Sequence, residues 1–71
     1  MTVSLILLPG NGLTPAVALR DGATVADLVA ARGLQGRSIV VNGVEVAPAR
    51  VAYHVLSQGD EVAALQAVKG A

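Results

Sequence analysis

Residues 38–46, Ser-Ile-Val-Val-Asn-Gly-Val-Glu-Val, constrain the fold of this chain more than any other stretch. Asn-Gly between β-branched runs signals a two-residue hairpin turn, because the primed turns need positive φ at their central residues. The pattern predicts two antiparallel strands. Pro48 ends the second, since proline has no N–H to give to a ladder. One hairpin is marginal in water, so the rest of the chain must supply its cover.

Three further segments do so. Residues 2–8, Thr-Val-Ser-Leu-Ile-Leu-Leu, read as a strand with Val3, Leu5 and Leu7 on one face and Ser4, Ile6 and Leu8 on the other. Both faces are mainly apolar, which places this strand inside a sheet. Pro-Gly-Asn-Gly at 9–12 is turn chemistry, and it joins the strand to a second run at 16–20 as a hairpin with a longer loop. Helix signals follow. Thr24 is the expected N-cap and Asp27 completes a capping box. Val25, Leu28 and Val29 form an inward stripe, Arg32 suits the negative end of the dipole, and Gly33 fits the left-handed stop. Leu34 is expected to plug the core just beyond. Residues 62–68 form the last strand, with Val62, Ala64 and Val68 inward and Ala63, Leu65 and Ala67 outward. Residues 49–57 fit either one helical turn or irregular chain.

The order strand, strand, helix, strand, strand, strand gives an α+β layer pair, with the helix across one face of the sheet. The 71 residues make a single domain, 1–71, with no linker or repeat. So short a chain buries only about 60% of its unfolded surface. It has no cysteine, Phe or Trp, and Tyr53 is its sole aromatic. Close packing of Ala, Val and Leu must therefore hold it together.

Composition also narrows the function. Five basic residues balance five acidic ones, which argues against nucleic acid, whose recognition needs clustered positive charge. The longest apolar run near the start, Leu5–Leu8, is too short for an export signal or a membrane span. The expectation is a cytoplasmic protein with no membrane partner. Catalytic constellations find little support. His54 stands without converging metal ligands. Asp60 and Glu61 read as a solvated turn. Thr2, Ser4, Ser38 and Ser57 have no histidine at a spacing that would make a nucleophile. No catalytic site, bound cofactor or metal is expected from these residues.

Three stretches taken together carry a resemblance: Gly-Ala-Thr-Val-Ala-Asp-Leu-Val at 22–29, Ile-Val-Val-Asn-Gly-Val-Glu-Val-Ala-Pro at 39–48, and Leu-Ser-Gln-Gly-Asp-Glu-Val through to Ala71 at 56–71. Over nearly its whole length the chain resembles the ubiquitin-like β-grasp sulfur carriers of the ThiS type, which serve thiamine biosynthesis, and next to them the small subunit of molybdopterin synthase. The resemblance implies a ubiquitin-like β-grasp with a mixed four- to five-stranded sheet, first and last strands parallel. It also implies that a partner enzyme adenylates the C-terminal carboxylate with ATP. Sulfur from a donor then converts it to a thiocarboxylate, and a synthase accepts the sulfur.

Such carriers end in Gly-Gly. Here Gly70 matches the first glycine, and Ala71 stands where the second would be. Residues 68–71 are expected to form a flexible tail, with Lys69, Gly70 and Ala71 as its activated end. Three extended residues reach roughly 10 Å. The Ala71 methyl narrows the backbone angles beside the reacting carboxylate. A matched enzyme that accepts it, a block on activation, and a chain that keeps the fold without the chemistry are all compatible with that residue. The last of these is an interaction or regulatory module. Both readings need a docking surface. It is expected on the outward side of the last strand, at Leu65, Ala63 and Ala67, with Val41 or its neighbour Val40 beside them.

Overall fold

The computed structural model describes residues 1–8 and 12–66. Five strands and one helix follow the expected order: β1 (Thr2–Leu8), β2 (Gly12–Ala18), α1 (Val25–Arg32), β3 (Ser38–Val41), β4 (Val44–Val46) and β5 (Glu61–Leu65), with a 3-10 turn at Pro48–Arg50. The strands lie in the order β2-β1-β5-β3-β4. β1 and β5 run parallel, and every other neighbouring pair is antiparallel. A mixed five-stranded sheet with one helix across it is an α+β, β-grasp-like fold. Among the described residues no helix is long and apolar enough to cross a membrane.

Local chemistry fixes the helix ends. The Asp27 N–H donates to Thr24 Oγ1 at 3.3 Å, while the Thr24 N–H donates to Asp27 Oδ2 at 2.9 Å. Gly33 takes the left-handed φ of 66° that stops the helix. Arg20 Nη2 donates to Asp27 Oδ2 at 2.9 Å. The hydrogen bond from the Thr24 backbone N–H holds the Asp27 carboxyl below its ordinary value; desolvation opposes it, and the Arg20 charge and the side-chain hydrogen bonds from Thr24 and Arg20 add to the lowering.

Folding therefore favours the ionised form of Asp27. Its contribution is complete above the unfolded pKa of about 3.9 and disappears as pH falls through the lower folded value. Urea midpoints measured between about pH 5 and pH 2 should show wild type losing its advantage over Asp27→Asn. A constant gap between the two proteins across that range would contradict the capping role.

At the β3–β4 turn, Asn42 has φ 52° and Gly43 φ 83°, the positive pair that a primed hairpin needs. Alternation then sends Val3, Leu5, Val17, Ile39, Val41, Val46, Val62 and Ala64 toward the helix side. Val25, Leu28, Leu34 and Leu56 close the core over them. The segment after the 3-10 turn seals the helix start: Val25 N–H donates to His54 O at 2.9 Å and Ala26 N–H to Val51 O at 3.0 Å. Leu34 fills the position expected of it.

Two boundaries differ from the sequence reading. β2 begins at Gly12, not Ala16, and ends at Ala18. Pro15 is accommodated because β2 is an edge strand, and its register with β1 is interrupted between Val3 and Leu5. β5 starts at Glu61 and ends at Leu65. Val62 and Ala64 are inward as expected, whereas Val68 lies outside the described residues.

Candidate functional site

The helix covers one face of the sheet only. The opposite face inherits the second apolar set of β1, because a central strand with apolar residues on both sides has its outer set left uncovered. Register assembles these residues into a row. Ile6 pairs with Leu13 on β2 and with Ala63 on β5, Ala63 pairs with Val40 on β3, and Val40 pairs with Glu45 on β4. One line of side chains thus crosses five strands, four apolar and then a carboxylate at the β4 edge. Leu8, Leu65 and Ser38 form a shorter row beside it, toward the end of β5, and Ser4 and Glu61 pair on the other side.

Most of these apolar groups are half-buried by their neighbours, and Leu13 is 60% exposed. The face holds a shallow depression of about 500 Å³, walled by Ile6, Leu13, Pro15, Val40 and Ala63 with Gly43 and Glu61 on its rim. Its lining carries aliphatic carbon, one hydroxyl and one carboxylate. An aliphatic face of this kind can exclude water from a flat surface laid against it, and nothing in it resembles a proton-transfer relay.

The two outward β5 residues expected on this surface, Ala63 and Leu65, are there. Val41 is not. It pairs with Val62 on the helix side and is 5% exposed, so it belongs to the core. Val40 takes the outward place, because the register sets Val40 against Ala63. Ala67, Lys69, Gly70 and Ala71 lie outside the described residues. Ile6, Leu13 and Pro15 were not assigned to the surface from sequence. The signal for Ile6 was present in the second apolar set of β1. Leu13 and Pro15 were hidden by placing the start of β2 too late.

The end of β5 is well anchored. Gln66 N–H donates to Leu8 O at 2.7 Å. Arg37 Nη1 donates to Leu8 O and Ala64 O, both at 3.5 Å, bridging the ends of the two parallel strands. Leu65, the last residue of β5, lies on the open face.

Asp60 accepts from the Ser57 N–H at 2.8 Å and from Asn42 Nδ2 at 3.0 Å, closing the turn before β5. His54 is half-buried in an edge groove of about 400 Å³ with Arg50, Tyr53 and Glu45. Among the described residues no group of three or more His, Cys, Asp or Glu side chains could hold a metal ion. No protein-family model matches the chain, and no curated protein is significantly similar to it.

Proposed function

We propose that the chain is a cytoplasmic sulfur carrier of the ThiS type, in which the open sheet face docks an adenylating enzyme and the Ala71 carboxylate is the group activated. The observation that carries this reading is the parallel pairing of β1 with β5, which brings the exit of β5 to the border of an uncovered apolar face. A partner gripping that face would have the last residues of the chain directed into its own active site. The carboxylate displaces pyrophosphate from ATP to form an acyl-adenylate. Sulfide from the donor then displaces AMP and leaves a thiocarboxylate, which a synthase consumes. The chain itself is the substrate, not the catalyst.

Ala71 favours a second reading, an interaction or regulatory module of ubiquitin-like shape that is never activated. One extra methyl against a tight channel costs about 10–200-fold in rate. A slowed carrier and an inert module therefore give different results. Incubation with a ThiS-type adenylating enzyme, ATP and sulfide is expected to exchange one oxygen for sulfur in the intact mass, faster for Ala71→Gly than for wild type. If Ala71→Gly reacts and wild type never does, the module reading replaces the carrier. If neither reacts, the carrier reading is wrong. The module further predicts that removal of residues 69–71 leaves partner binding intact while Leu65→Asp weakens it.

A further inference from the structure

The β3–β4 turn is tied to the start of β5 through Asn42. The Asn42 N–H donates to Glu61 O at 2.8 Å, and the Glu61 N–H donates back to Asn42 Oδ1 at 2.9 Å. Asn42 Nδ2 donates to Asp60 Oδ1 at 3.0 Å. The amide orientation follows from chemistry, since a backbone N–H needs an oxygen facing it. Both ends of the Asn42 carboxamide are therefore held toward β5.

The next residue is Gly43, and Asn-Gly is the dipeptide with the least hindered route to deamidation. The Gly43 nitrogen attacks Asn42 Cγ, the Cγ–Nδ2 bond breaks, and ammonia leaves. The resulting succinimide adds one water and opens to aspartate or isoaspartate. Cyclisation requires Cγ to turn onto the Gly43 nitrogen, which means giving up the bonds to Asp60 and Glu61. We propose that Asn42 is a modification site withheld by the fold: the clamp to β5 protects it from cyclisation, and local opening of the turn releases it.

The change runs one way. Aspartate at 42 loses the donor to Asp60 and sets two carboxylates where a 3.0 Å hydrogen bond stood. Isoaspartate adds a backbone atom to a two-residue turn and breaks its geometry. Gly43 and Glu61 stand on the rim of the open-face depression, so the damage reaches the candidate docking surface. The inference holds whatever docks there.

The full chain contains a second Asn-Gly pair, Asn11-Gly12, which serves as an internal clock. In urea, at mildly alkaline pH, peptide mapping should show Asn11 and Asn42 losing ammonia at similar rates. Folding should slow Asn42 by about tenfold or more, the factor by which the open turn is depopulated. Asp60→Ala, checked for folding by circular dichroism, should recover about tenfold of that rate. Smaller protection of Asn42 in the folded wild type overturns the proposal, and so does a folded Asp60→Ala whose rate is unchanged or slower. Should Asp60→Ala not fold, the comparison of folded and urea-unfolded wild type still decides.

Discussion

Leu28→Ala is expected to remove about 2–5 kcal/mol of stability, the range for emptying a fully buried leucine site. Leu28 is 0% exposed and lies in the inward stripe of α1, facing the sheet. At roughly 0.05–0.15 kcal/mol per residue, a chain of 71 residues has about 4–11 kcal/mol in total. One truncation thus consumes a large share of what holds the protein folded. The core offers little relief, because its members are Val, Leu, Ile and Ala, with no large aromatic ring to shift into the space. The urea midpoint should fall sharply while the slope stays near its wild-type value. Leu13→Ala is the matched control. It deletes the same atoms at a site 60% exposed, and should change stability by less than about 0.5 kcal/mol. Equal effects from the two substitutions would mean that the core does not sit between α1 and the sheet.

Much of this architecture is legible in the sequence because its signals are local. Thr24, Asp27 and Gly33 mark both ends of α1, and the capping bonds and the left-handed Gly33 follow from those residue types alone. Asn42-Gly43 specifies its turn for the same reason. The interior placement of β1 follows from its two apolar faces. What local pattern leaves open is register. Val40 and Val41 are chemically identical, and alternation shows only that they face opposite ways. Pairing with β5, twenty residues further along, sends Val41 inward. The start of β2 is obscured by Pro15, which argues against a strand unless that strand is known to lie at an edge. Edge position is a property of the assembled sheet. The candidate docking surface shares this limit, because its row from Leu13 to Val40 draws on four strands and exists only once they are aligned.

Ile6→Asp should separate docking from folding. Ile6 occupies the middle of that row, flanked by Leu13 and Ala63, and its side chain points away from α1. A carboxylate there stays in contact with water in the free protein. The expected loss of stability is about 1 kcal/mol, the span of strand preference, and well below that of Leu28→Ala. Docking would bury the same carboxylate without a partner at the centre of an apolar contact. An unpaired charge at such a place costs about 3 kcal/mol or more, over 100-fold in affinity. In thiocarboxylate formation the effect should appear in kcat/KM, with wild-type circular dichroism retained. Val41→Asp makes the opposite comparison. It is two strands away with the same charge, but aimed into the core, and it should unfold the chain instead of sparing it. If Ile6→Asp is folded and activated as well as wild type, the uncovered face is not where the adenylating enzyme binds. The recognition would then rest on the chain end alone, and the parallel β1–β5 pair would serve only to hold that end in place.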